Sequence, residues 1–219
     1  MFTPDGRRLL FTSPGDDDQL NIYAKAMDTN APPERQTKSP DTQRATSISR
    51  DGRFLFNNVN ATTEASDVWE QKLDQPSTAR PLIDSPAMER YAAFSPNERW
   101  IAYESDISGA PEVYVQQYPN GAPHVVSVDG GGQPIWSRNG DEVFYQRSTR
   151  VFAVRVVNGA RVGPPTKLFD RPAGRSRNWD TAPDNTRFLV ADNVRPGYIQ
   201  VVTNWFEELR AKVPAGGAK

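Results

Sequence analysis

Short apolar runs of three or four residues recur along the chain, each preceded by a polar turn and followed by a polar stretch. The turn segments are Phe2-Thr-Pro-Asp-Gly-Arg, Ile48-Ser-Arg-Asp-Gly-Arg, Phe94-Ser-Pro-Asn-Glu-Arg, Trp136-Ser-Arg-Asn-Gly-Asp and Thr181-Ala-Pro-Asp-Asn-Thr. Their aligned acidic or amide residues, Asp5, Asp51, Asn97, Asn139 and Asp184, lie 46, 46, 42 and 45 residues apart. An even period of this length over five copies is the signature of a repeat architecture. Each copy has the same chemistry. Pro pre-sets φ, Asp or Asn tolerates the left-handed region, and Gly supplies positive φ. In the third and fifth copies Glu98 and Asn185 replace that Gly, which predicts poorer turns there.

A β-rich run follows each turn, at 9–11, 54–56, 100–103, 143–145 and 188–190. Polar loops at 13–19, 57–66, 104–111 and 146–150 lead to a third strand at 21–25, 67–73, 112–118, 151–157 and 199–204. A weak outer strand is expected at 34–37, 80–83, 123–127 and 166–169. Four short antiparallel strands in roughly 45 residues make one blade of a β-propeller, so the fold class is all-β. The copies span about 1–43, 44–89, 90–131, 132–176 and 177–205, in one domain over 1–212. One blade cannot cover both its faces, and radial stacking buries each against the next. The one helical candidate is the amphipathic stretch 206–212, stopped by Pro214, and 213–219 reads as a disordered tail.

The first copy begins inside its turn and lacks an innermost strand, and the fifth has no clear outer strand. Eighteen strands result, with later strands of a blade at both ends. Such ends do not complement each other. The chain is therefore expected to be the C-terminal part of a larger propeller, with a strained five-bladed ring as the alternative. An open first blade exposes an unpaired edge, and self-association through it is expected.

Composition narrows the chemistry. Lys and Arg number 26 against 27 Asp and Glu, a formal net charge of −1. This balance argues against a uniformly basic nucleic-acid binder. Cysteine is absent, which excludes disulfides, thiolate metal sites and a cysteine nucleophile. The lone histidine, His124, excludes multi-histidine metal sites and, with no Gly-x-Ser-x-Gly elbow, reads as an exposed strand-edge residue. No apolar run approaches the ~20 residues that span a bilayer, and 1–10 does not resemble a signal peptide. Asp16-Asp17-Asp18 lacks the spacing of a calcium loop and reads as a solvated turn. Gly130-Gly131-Gly132 lacks the Lys-Ser/Thr of a phosphate loop and reads as close backbone packing near the axis. Tyr23, Trp69, Trp100, Tyr114 and Trp136 recur at repeat positions and read as blade-to-blade core. No catalytic residues, metal site or cofactor are expected.

One pattern bears on binding. Counting back seven from the second to fifth anchors gives Arg44, Arg90, Gly132 and Arg177, and counting back six gives Ala45, Tyr91, Gln133 and Asn178. These positions lead into the innermost strand of each blade and are expected around one mouth of the central channel. Arg44, Arg90, Tyr91, Gln133, Arg177 and Asn178 are thus the candidate ligand site. Converging guanidinium groups favour carboxylate or phosphate, hence an anionic ligand or an acidic peptide.

The turn segments resemble the Ser-Pro-Asp-Gly repeat of the TolB-type propeller family. Trp100-Ile-Ala-Tyr-Glu-Ser, Pro111-Glu-Val-Tyr-Val-Gln-Gln-Tyr-Pro119, Val126-Ser-Val-Asp-Gly-Gly-Gly-Gln-Pro134 and Val201-Val-Thr-Asn-Trp205 further resemble the last blades of the extracytoplasmic propeller behind acidobacteria-type bacterial serine/threonine protein kinases. The resemblance covers 2–212. It implies a non-catalytic binding or sensor module for a protein, peptide or cell-envelope ligand, as an accessory domain of a signalling protein. It also implies a periplasmic or extracytoplasmic location. No kinase signature occurs in the sequence, and no membrane insertion by this chain is expected. The alternative is the gating propeller of a prolyl-oligopeptidase-like peptidase, which would need a hydrolase domain.

Overall fold

The computed structural model describes residues 1–15, 18–171, 179–182, 185 and 187–190, and the backbone alone of 200–202. Five antiparallel sheets follow one another along the chain. Blade 1 holds β1 (Arg8–Pro14), β2 (Leu20–Ala26) and β3 (Glu34–Arg35). Blade 2 holds β4 (Thr42–Ile48), β5 (Arg53–Val59), β6 (Ser66–Lys72) and β7 (Gln75–Ile83). Blade 3 holds β8 (Glu89–Phe94), β9 (Trp100–Ser105), β10 (Glu112–Gln117) and β11 (His124–Val125). Blade 4 holds β12 (Gly132–Trp136), β13 (Glu142–Arg147), β14 (Arg150–Val157) and β15 (Ala160–Asp170). Blade 5 holds β16 (Trp179–Thr181), β17 (Phe188–Val190) and β18 (Gln200–Val202). The eighteen strands and their division into sheets follow the repeat. The expected helix at 206–212 and the tail at 213–219 lie outside the described residues. No helix among the described residues is long and apolar enough to cross a membrane.

The structure lengthens several expected strands. Asn158 (φ 50°) and Gly159 (φ 77°) form a two-residue hairpin, so β15 begins at Ala160, six residues earlier than expected. Two consecutive positive φ values match the right-handed twist of the flanking strands. The expected loop at 146–150 shrinks to Ser148 and Thr149, because Arg147 pairs with Arg150.

The first three repeated turns are held by the same clip, and in the fourth Ser137 Oγ donates to Asp141 instead. Ser49 Oγ donates to Asp51 Oδ1 at 2.5 Å and accepts from the Arg53 N–H at 3.0 Å. Thr3 does the same with Asp5 and Arg8, and Ser95 with Asn97 and Trp100. The hydroxyl bond holds the carboxyls of Asp5 and Asp51 below the usual carboxylate range. Glu98 (φ 57°) and Asn185 (φ 58°) adopt the conformation of Gly6, Gly52 and Gly140, with the same turn hydrogen bond. They are not weaker copies but connectors. Glu98 Oε1 accepts from the Arg50 N–H at 2.6 Å, and Asn185 Oδ1 from the Arg138 N–H at 2.8 Å, each reaching back to the previous blade. Arg50 and Arg138 stand where the other turns carry Pro4, Pro96 and Pro183, so donor and acceptor turns alternate.

The apolar core is divided into four clusters, one between each pair of successive blades. Leu10, Ile22 and Ala24 meet Phe54 and Phe56, and Leu55 and Val68 meet Ile101, Tyr103 and Tyr114. Ala102, Val113 and Val115 meet Val143, Tyr145 and Phe152, and Phe144, Val151 and Ala153 meet Trp179 and Phe188. Burial of these side chains is the main stabilising term, at about 25 cal/mol per Å². Polar ties add register. The carboxylate of Glu70, with no exposed area, takes Arg80 Nε at 2.7 Å and the Tyr118 hydroxyl of blade 3 at 2.7 Å.

Candidate functional site

The inner strands β4, β8, β12 and β16 surround a cavity of about 600 Å³. Thr12 comes from blade 1, Arg44, Thr46 and Asn57 from blade 2, and Tyr91 from blade 3. Gln133 and Ile135 come from blade 4, and Trp179 and Asp180 from blade 5. All five blades therefore face one axis.

Each full blade bends its inner strand at the same place. The pairing slips between Ala45 and Ser47, between Arg90 and Ala93, and between Gly132 and Ile135. A bulge re-aims the side chains next to it and commonly borders functional sites. Tyr91 (φ 56°) and Gln133 (φ 53°) occupy the left-handed region at equivalent positions. Such a conformation costs on the order of 1–3 kcal/mol in a residue with a side chain and persists only where neighbours enforce it. The enforcing groups are visible. Asn57 Oδ1 accepts the Tyr91 N–H at 2.9 Å, and Glu104 Oε2 accepts the Gln133 N–H at 3.2 Å. In both cases a polar residue on the second strand of one blade clamps the bulge of the next.

Arg44 is exposed at the cavity, and its guanidinium has no hydrogen bond or ion pair to any described residue. Asp180 on the facing wall sits 3.7 Å from Arg138 and accepts the Thr181 N–H at 2.7 Å. Among the described residues the cavity thus presents the free guanidinium of Arg44, while the carboxylate of Asp180 is already engaged. Gln133 Oε1 and the Trp179 indole N–H are buried without a partner among the described residues. An unpaired buried polar atom is a group that a ligand can satisfy.

Of the six residues chosen from the sequence, Arg44, Tyr91 and Gln133 line this cavity. Arg90 does not. Its Nη2 bonds Glu104 Oε1 at 2.9 Å, and its side chain lines a second cavity of about 390 Å³, with Asn60, Ser66 and Met88. Its charge is neutralised at home, which spacing alone could not reveal. Arg177 and Asn178 lie outside the described residues. Gly132, at the position equivalent to Arg44 and Arg90, is a close approach: a Cβ there would stand 2.1 Å from Glu104 Oε2. His124 is exposed on β11. Asp16 and Asp17 lie outside the described residues. Among the described residues no group of three His, Cys, Asp or Glu side chains is placed to hold a metal ion.

The sequence reading missed the clamps. The two clamps, Asn57 and Glu104, share a place with Thr12 and Gln146, each a polar residue closing an apolar triplet, at Leu9-Leu-Phe, Phe54-Leu-Phe, Ile101-Ala-Tyr and Val143-Phe-Tyr. That recurrence was the available signal. Trp179 and Asp180 carried no such mark.

No protein-family model matches the sequence, and no curated protein matches it. Solved structures do resemble it. TolB from Acinetobacter baumannii superposes with a TM-score of 0.72 at 16% identity, covering 93% of this chain and 50% of that one. A protein assigned as TolB from Agrobacterium tumefaciens gives 0.65 at 19% identity, covering 77% and 63%. A propeller in a nidogen/laminin complex gives 0.68 at 10% identity, covering 87% and 70%. This chain spans half to two thirds of the length of the two TolB structures. Four-stranded antiparallel blades, radial stacking and these superpositions together make the fold that of a TolB-like β-propeller.

Proposed function

We propose that this chain is a non-catalytic binding propeller that takes an acidic segment of a protein or peptide partner at the central cavity. The observation that carries this reading is the free Arg44 guanidinium in a cavity to which all five blades contribute. Guanidinium pairs with carboxylate in a bidentate geometry, and a partly enclosed site strengthens the pair relative to open water. Tyr91, whose ring already meets the Arg90 guanidinium at 6.0 Å, lines the site, and Gln133 Oε1 beside it offers an unfilled acceptor for a peptide N–H. The clamped bulges hold both without cost at the moment of binding, which favours affinity. The likeness to a propeller solved in a nidogen/laminin complex supports a protein partner. An accessory role outside the cytoplasm in a bacterial signalling protein rests on the sequence resemblance to the kinase-linked propellers.

The test is calorimetric titration with a capped hexaglutamate peptide, and with hexalysine as the control. Hexaglutamate should bind, weaken with added salt, and lose affinity at least about tenfold in Arg44→Ala, as expected for one charged contact. Arg44→Lys should fall between. Equal binding by the wild type and Arg44→Ala, or no binding of hexaglutamate at low salt, would sink the assignment.

A further inference from the structure

The central cavity does not stand alone on its wall. Thr42 faces Val59 across β4 and β5, and Arg44 faces Asn57 two residues along. The first pair lines the second cavity, of about 390 Å³, and the second pair lines the central one. Residues two apart on a strand point to the same side of the sheet, about 6.6 Å from each other. β8 repeats the step, with Arg90 in the second cavity and Tyr91 in the central one. The two cavities are therefore consecutive stations on one surface, shared by blades 2 and 3. Their spacing is also that of alternate side chains in an extended peptide.

The second cavity has a chemistry of its own. Val59, Ala61 and Met88 give it an apolar wall. The Arg90 charge is met by Glu104 at 2.9 Å. Glu64 lines the cavity and is exposed, and its carboxylate has no hydrogen bond or ion pair to any described residue. Its place is nonetheless fixed. The Glu64 N–H donates to the Asn60 carbonyl at 3.0 Å, and Asn60 Oδ1 accepts the Thr62 and Thr63 N–H groups at 3.0 Å each. Glu64 holds φ 59°, a left-handed conformation that persists only where neighbours impose it and that gathers at binding sites. Asp67, next to Ser66 of the lining, titrates above the usual carboxylate range, first through burial and then through Asp84 and Asp41, so the surroundings are negative. A free carboxylate beside an apolar wall suits the charged head and aliphatic stem of Lys or Arg. We propose that the two cavities together read an extended segment with Asp or Glu at one position, against Arg44, and Lys or Arg two residues away, against Glu64. This rests on the acidic-segment reading of the central cavity and adds an opposite charge, at a fixed spacing, to what the site selects.

Two capped octapeptides of equal composition test it: two repeats of Glu-Glu-Lys-Lys, and four repeats of Glu-Lys. The first carries opposite charges two residues apart in either chain direction, and the second carries like charges there. In calorimetric titration at low salt the wild type should bind the first peptide about two- to fivefold more tightly, as one partly exposed ion pair allows. Glu64→Gln should erase that difference with the melting temperature unchanged, and should tighten hexaglutamate by up to about twofold, because a like charge is gone. Arg44→Ala should weaken both octapeptides. Equal affinities in the wild type, a preference that survives Glu64→Gln, or no binding of either octapeptide would overturn the proposal. The Arg44 site would still stand in those cases if hexaglutamate binds and depends on Arg44. Hexaglutamate binding that ignores Arg44→Ala would bring down the central reading and this one with it.

Discussion

Gly132 has no side chain because the Glu104 carboxylate occupies the space that one would fill. Its φ is not in the left-handed region, so contact alone excludes a Cβ. In Gly132→Ala the new methyl would stand 2.1 Å from Oε2 and 2.8 Å from Cδ of Glu104, and the carboxylate has to swing away. It then gives up the Gln133 N–H at 3.2 Å and the Arg90 Nη2 at 2.9 Å. The first is a hydrogen bond to a charged group, about 1.5–3 kcal/mol. The second joins side chains that are 25% and 9% exposed, and as a partly solvated pair it contributes about 1 kcal/mol or less. Opposing these, Gly→Ala restricts the unfolded chain and returns about 0.4–1 kcal/mol. The balance is a loss of about 1–3 kcal/mol, or roughly 2–12 °C in Tm for a chain of this size. Thermal unfolding at pH 7, followed by circular dichroism, measures it. The background matters as much as the number. In Glu104→Ala the obstruction is gone, so adding Gly132→Ala should be neutral or slightly stabilising. A similar loss in both backgrounds, or no loss in either, refutes the clamp.

Three further outcomes follow from the interfaces. Tyr118→Phe should cost about 1–3 kcal/mol, because Glu70 Oε2 loses a buried donor. Burial, then the bond to Glu70, push the Tyr118 phenol up to about 12. Its contribution is therefore complete below the unfolded value near 10 and lost as pH rises from 10 toward 12, and alkaline denaturation of Tyr118→Phe should be shallower over that window. Glu89 is 1% exposed, and burial pushes its carboxyl above the usual range. The fold thus disfavours its charged form, so Glu89→Gln should raise Tm at pH 7 and give no gain below pH 4, where both states carry the proton. Phe56→Ala, at a fully buried site, should lose about 3–5 kcal/mol, and Phe11→Ala, at a half-buried one, less, by urea unfolding.

The period of the turns carried the fold because each Ser/Thr–Asp/Asn clip is local: all its partners lie within five residues, and a window of the sequence contains them. Asn158-Gly159 is an equally local hairpin signal, but it occurs in one blade alone and so leaves no mark at the 45-residue period. Glu98 and Asn185 were legible as departures but not as connectors, since Arg50 and Arg138 act on them from 48 and 47 residues away. The site divided along the same line. Arg44, Tyr91 and Gln133 follow from counting back along each repeat. The pairing of Arg90 with Glu104, 14 residues on across a hairpin, depends on a register that the bulge shifts. Trp179 and Asp180 reach the cavity only through the radial arrangement, which no linear pattern encodes.

The four inter-blade clusters also set how the molecule comes apart. Contacts join each blade to its sequence neighbours, so cooperativity runs along a line, as in linear repeat proteins where stability sums over units and their nearest-neighbour junctions. Among the described residues blades 2 to 4 carry a cluster on each side and blades 1 and 5 on one. Amide hydrogens in β9 and β10 should therefore exchange only in the rarest openings, and those in blades 1 and 5 through fraying from the ends. A lesion in blade 3 would split the assembly into two short stacks, whereas one in blade 1 would merely shorten it.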